Sequence, residues 1–176
     1  MKRGWISQEF IIKSSKNRNN IIAGYASVFD VADSQNDIVA KGAFKNTSHR
    51  DVRLLWQHDI TKPIGVITSL EEDEYGLKME AEINNSTSLG AEVSSLIKQK
   101  AVSGLSVGFS IKSSNYNKLG NRIIEEVELM EISVVTFPAN SMAEINNIKY
   151  HSNDMIVSDT SLWLEVKSLL KQIEKY

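Results

Sequence analysis

The sequence predicts a mainly β protein with added helices, an α+β chain built on an antiparallel barrel or sandwich. Three observations lead there. Leu77-Lys78-Met79-Glu80-Ala81-Glu82-Ile83 alternates strictly between apolar and charged residues, the period of a strand with one buried face. Residues 21–29 and 105–111 are rich in β-branched and aromatic side chains, which suit a pleated, packed surface. Between residues 88 and 100 the period changes, and Leu89, Val93, Leu96 and Ile97 fall on one helical face.

In chain order, residues 6–13 read as a strand ending in Phe10-Ile11-Ile12, and 13–20 as a polar turn. A second strand covers 21–29. The stretch 30–38 is loop-like, with Asp33, Ser34, Asn36 and Asp37, and 41–47 could hold a short helix. Residues 51–58 have a strand pattern, which Pro63-Ile64-Gly65 interrupts before Val66-Ile67-Thr68. An acidic turn at 71–76 leads into the alternating strand. The helix at 88–100 follows, with Ser and Thr at its start as capping candidates. Strand character returns at 105–111. Gly120 marks a turn in 116–121, and 122–136 supplies one long strand or two short ones. Pro138-Ala139-Asn140 ends the strand section, 141–158 reads as irregular, and 161–175 as an amphipathic helix carrying Leu162, Val166, Leu169, Leu170 and Ile173. The expected organisation is a core over 1–140, an irregular connection over 141–158, and a C-terminal helix over 159–176 that packs on the core or serves association.

The bulk properties exclude several classes of function. With 176 residues the chain can bury one core and is short for two domains. A net charge of -2 with scattered Lys and Arg gives no global pull toward nucleic acid or an anionic membrane, and no apolar run approaches the ~20 residues of a membrane span. The absence of cysteine removes disulfides, a thiol nucleophile and thiolate metal ligands. Its three histidines, His49, His58 and His151, lack the spacing of a zinc site. No metal or organic cofactor is expected.

What chemistry remains is carried by Gly104-Leu105-Ser106-Val107-Gly108-Phe109. Serine is a weak nucleophile that needs a base to take its proton and a third group to orient that base. His58, in Leu55-Trp56-Gln57-His58-Asp59, lies upstream, and Glu131, in Leu129-Met130-Glu131-Ile132-Ser133, lies downstream. The literal G-x-S-x-G match suggests the nucleophile elbow of α/β-hydrolases, whose triad order Ser106, Glu131 and His151 could satisfy. That elbow runs from strand to helix, whereas here a helix precedes the motif and a strand follows, without βαβ alternation. On residues alone, the more common reading is that Ser106 is a small strand residue chosen for packing, and His58 a strand-end side chain satisfied by its own loop. Glu131, inside an apolar strand, faces either solvent or a partner such as a histidine.

Four segments in order carry a more specific resemblance: Ala23-Gly24-Tyr25-Ala26-Ser27-Val28-Phe29; Leu54-Leu55-Trp56-Gln57-His58-Asp59 with Pro63-Ile64-Gly65; Gly104-Leu105-Ser106-Val107-Gly108-Phe109; and Glu131-Ile132-Ser133-Val134-Val135-Thr136-Phe137-Pro138-Ala139-Asn140. Over roughly residues 20 to 140 the chain resembles the prohead proteases of tailed bacteriophages, which are related in fold to the herpesvirus assemblins. The resemblance implies an antiparallel β-barrel surrounded by helices. It also implies a serine endopeptidase that cleaves scaffold, or the scaffold-like part of the major capsid protein, and itself, inside the immature capsid in the host cytoplasm. Carried over by motif, Ser106 is the nucleophile, His58 the general base and Glu131 the third member. The implied partners are the capsid or scaffold substrate and a second copy of the chain, with neither nucleic acid nor membrane. The rival readings are an esterase pairing Ser106 with His151 and a non-enzymatic virion module.

Overall fold

The computed structural model describes residues 19–149. Its strands and helix run β1 (Asn20–Val28), β2 (Asp37–Val39), β3 (Arg53–Trp56), β4 (Asp59–Glu72), β5 (Gly76–Ile83), α1 (Ser88–Lys98), β6 (Gly104–Tyr116), β7 (Arg122–Val135) and β8 (Ile145–Lys149). All eight strands belong to one curled sheet ordered β2-β7-β3-β4-β5-β1-β8, with β6 on the other side of β7.

The pattern that identified β5 buries as expected. Leu77, Met79, Ala81 and Ile83 are almost fully enclosed, while the charged residues between them look outward. From the helix, Val93 and Ile97 enter the same core, and Leu89 and Leu96 pack at its margin. Thr87 caps that helix by accepting the Gly90 N–H at 3.1 Å. Lys100, at φ 57°, turns the chain out of the helix toward β6.

Several expectations are corrected. The sheet is mixed rather than antiparallel, because β2 and β3 both run parallel to β7. Strand order in space cannot be read from alternation, which reports only which face of a strand is buried. One helix lies among the described residues, so they do not form a barrel surrounded by helices. The short helix expected at 41–47 is a chain of tight turns, Ala43 N–H to Ala40 O, Lys45 N–H to Gly42 O and Thr47 N–H to Phe44 O. Pro63 does not break the strand after His58: β4 runs through it, with Pro63 opposite Leu55 beside register shifts, where a missing N–H is tolerated. Part of the supposedly irregular 141–158 forms β8 on the edge of β1. The strand expected at 6–13, the helix at 161–175 and His151 lie outside the described residues.

One connection ties two distant strands of the sheet together. Leu105 N–H donates to Ala143 O at 2.9 Å and Ile145 N–H to Ser103 O at 2.7 Å, while Tyr25 N–H donates to Glu144 O at 3.3 Å. The segment 143–145 therefore joins the start of β6 to β1. Gly24 permits this approach, since a Cβ there would lie 2.2 Å from Glu144 O.

Candidate active site

Strand register assembles the site. In the β6–β7 ladder Ser106 stands opposite Ser133, and Gly108 opposite Glu131. Directly opposed residues of an antiparallel pair project to the same face, as do residues two apart on one strand. Ser106, Gly108, Glu131 and Ser133 thus share one patch.

On its other side β7 pairs with β3, Trp56 lying opposite Val134, so the end of β3 comes level with this patch. There the chain reverses in two residues. Gln57 and His58 both have positive φ, 56° and 58°, and Trp56 pairs with Asp59, the geometry of a type I′ hairpin turn. Gln57 N–H donates to Val134 O at 3.0 Å, and the Gln57 side chain donates to Thr136 Oγ1 at 2.8 Å. His58 N–H donates to Ser133 Oγ at 3.0 Å. The turn is pinned to β7 on both residues, and it carries the His58 ring over Glu131.

His58 Nδ1 lies 2.6 Å from Glu131 Oε1, with the carboxylate side chain 12% exposed and the imidazole 46%. A carboxylate only accepts, so the proton at this contact sits on Nδ1 and Nε2 is left for another partner. The second carboxylate oxygen, Oε2, accepts from Ser133 Oγ at 2.6 Å. Glu131 is therefore held against a histidine, and the solvent-facing alternative is excluded. Gly108 makes the room: a Cβ there would fall 2.2 Å from Glu131 Oε1. Gly104 likewise fits against Pro138 and Val135 O, each 2.8 Å from where its Cβ would be. Both glycines of the motif thus serve close packing.

Ser106 and His58 line one cavity of about 360 Å³, together with Ser27, Asp33, Asp37, Arg122 and Asn140. Ser106 is largely buried, but no buried side-chain polar atom among the described residues is left unpaired, and its hydroxyl, bonded to none of them, opens onto this cavity. A larger groove of about 680 Å³ around Asn46, Arg53, Lys112 and Glu128 includes none of the three candidate residues.

The cavity wall contains groups that sequence reading missed. Arg122 Nε and Nη2 donate to the two oxygens of Asp37 at 2.9 and 2.5 Å, and this bond, opposed by burial, raises the guanidinium above its usual range. The pair is 85 residues apart in sequence, so no local pattern announces it. Asn140 ties the loop after β7 to β1, donating to Val28 O at 2.9 Å. Ser133 was detectable, since Glu131-x-Ser133 on a strand puts both side chains on one face. Asp59, beside His58 in sequence, turns elsewhere. The Thr61 hydroxyl, the Lys62 ammonium and the Thr61 N–H hold its carboxyl down at about 2.

The chain is similar in sequence to phage prohead proteases and in fold to a phage and a herpesvirus protease. The chain is 37% identical over 153 residues to the prohead protease of Enterobacteria phage HK97, covering 84% of this chain and 68% of that protein. Among solved structures it is similar to the bacteriophage T4 capsid assembly protease, with a TM-score of 0.55 at 14% identity over 67% of this chain and 82% of that one. It is also similar to the KSHV protease in complex with a hexapeptide phosphonate inhibitor, with a TM-score of 0.50 at 12% identity over 90% and 77% of the two chains. At these identities the structures speak for the fold alone, a curled, mainly β sheet with few helices. The caudovirus prohead serine protease family matches residues 8–156, and with that span matched the chain belongs to this family and is a serine protease.

Proposed function

We propose that this protein is the endopeptidase of prohead maturation, with Ser106 as nucleophile, His58 as general base and Glu131 as the carboxylate that orients the base. The observation that carries the reading is the 2.6 Å contact between His58 Nδ1 and Glu131 Oε1, made beside a cavity that Ser106 also lines. With Nδ1 engaged, Nε2 is the nitrogen available to the serine.

In the proposed mechanism His58 Nε2 takes the Ser106 proton as Oγ attacks the peptide carbonyl. The tetrahedral intermediate collapses when His58 returns that proton to the leaving amine, and water, activated by the same nitrogen, hydrolyses the acyl-enzyme. Glu131 fixes the tautomer and stabilises the imidazolium formed in each step. Backbone N–H groups hold the oxyanion. The cavity is lined by Val107, Phe109 and Ile111 and by Asp33, Asp37 and Arg122, which suits an extended peptide with both apolar and polar side chains.

The substrates are the scaffold-like part of the major capsid protein or a separate scaffold, and the protease chain itself, inside the immature capsid. This rests on family membership and on the 37% identical phage HK97 relative, a prohead protease. Residues 159–176 would then serve association between copies.

Ser106→Ala tests the proposal when co-expressed with the capsid protein. The variant is expected to fold with unchanged melting, and to lose self-cleavage and capsid-protein cleavage together. Cleavage persisting at the wild-type sites would remove Ser106 from the mechanism.

A further inference from the structure

We propose that Ser133 is a positioning residue for catalysis, acting through Glu131; the proposal rests on the assignment of Glu131 and His58 above. Ser133 is completely buried, on the strand that lies between the nucleophile strand β6 and the base-bearing turn after β3. A buried hydroxyl requires partners, and those of Ser133 are both parts of the candidate triad. Its Oγ accepts the His58 N–H at 3.0 Å and lies 2.6 Å from Glu131 Oε2.

The direction of the second bond is dictated by chemistry. The His58 N–H can only donate and a carboxylate can only accept, so the single hydroxyl proton points at Oε2. That bond fixes the rotation of the carboxylate. With Oε2 anchored on Ser133, Oε1 is presented to His58 Nδ1, and the open space over Gly108 lets it stay there. Without the anchor, Glu131 could turn within the space beside Gly108 and lose the line to the imidazole. The same hydroxyl holds the backbone of His58, so one atom sets the relative position of base and carboxylate.

The test is a double-mutant cycle on the full chain, with a peptide spanning its self-cleavage site as substrate. The variants are Ser133→Ala, Glu131→Ala and the two combined. Ser133→Ala deletes one oxygen and adds no volume, so folding is retained, and melting curves verify it. In the wild-type background kcat is expected to fall about tenfold, the scale of one hydrogen bond to a charged group, with KM changed by less than about twofold. In the Glu131→Ala background the same substitution should change kcat by less than about twofold, because the group it orients is gone. Equal losses in the two backgrounds would show that Ser133 acts on the scaffold and not through the carboxylate, and would overturn the proposal, as would an unchanged kcat for Ser133→Ala alone. A Glu131→Ala enzyme with the wild-type rate would instead overturn the assignment of Glu131 itself, and the role of Ser133 with it.

Discussion

Gly108 stands where a side chain would displace the carboxylate that holds the His58 ring, its Cβ falling 2.2 Å from Glu131 Oε1. The obstructing atom is the end of a flexible side chain, so alanine here should cost the fold about 1 kcal/mol and still push Glu131 away from His58. Gly108→Ala is therefore expected to melt close to wild type yet lose kcat/KM by about 10²-fold or more, as happens when a triad loses its orienting acid. Peptide-cleavage kinetics beside thermal melts separate the two effects, and full activity would mean that Glu131 does not need its observed position. At this scale the sequence offered candidates for the chemistry and said less about why their neighbours are there. Ser106, His58 and Glu131 could be named from residue type and motif. The purpose of Gly108 could not, because it depends on a residue opposite it on another strand. The Asp37–Arg122 pair on the cavity wall was invisible for the same reason.

At the scale of elements, the turn between β4 and β5 shows how a short acidic stretch becomes a fixed corner. Asp73 accepts the Tyr25 hydroxyl at 2.5 Å and the N–H groups of Tyr75 and Gly76 at 2.7 and 3.0 Å. Burial pushes this carboxyl up, but the three hydrogen bonds outweigh it and hold it below its ordinary value of 3.8. Burial, then the same bond to Asp73, raises the Tyr25 phenol well above its usual range. A carboxyl depressed in the folded state stabilises that state while ionised. Its contribution is present above the unfolded value and is lost as pH falls through the folded one. Asp73→Ala should thus cost about 1–2 kcal/mol at pH 7, and the gap in melting temperature from wild type should narrow below about pH 4. A gap that stays constant down to pH 3 would count against this role. The elements themselves were legible where one face is buried, as in β5 and α1. They were misread where tertiary pairing overrides local preference: Pro63 continues a strand because it sits opposite Leu55 beside a register shift, and residues 145–149 become a strand because β1 offers them an edge.

Over the whole molecule, two distant strands of the sheet are joined by a segment that the sequence marked as a connection. Ala143 bonds to β6 and Ile145 to Ser103 just before it, while Glu144 bonds to β1, and Ala143 is fully buried. Since β6 carries Ser106, this segment also braces the strand of the proposed nucleophile. Ending the chain at Asn140, the boundary that composition suggested, removes this brace together with β8 and its partly buried Ile145 and Ile148. The loss is expected to reach about 5 kcal/mol, comparable with the stability margin of a small domain. The truncated chain should melt far below the full one or fail to fold, as circular dichroism would report; an unchanged melt would place the core entirely within 1–140. The mainly β class was readable from periodicity. The parallel course of β3 beside β7 was not, because hydrophobic alternation is the same in either direction, and it is this pairing that brings the His58 turn to Glu131.

The arrangement of Ser106, His58 and Glu131 is open to direct chemical interrogation with a peptidyl phosphonate, which forms a stable adduct only on an activated serine. The protein would be incubated with a phosphonate built on its own cleavage sequence and mapped by mass spectrometry after digestion. A single adduct on Ser106, absent in Ser106→Ala and formed far more slowly in His58→Ala, is the expected result. An adduct on another serine, or labelling of Ser106 at the wild-type rate without His58, would contradict the assignment.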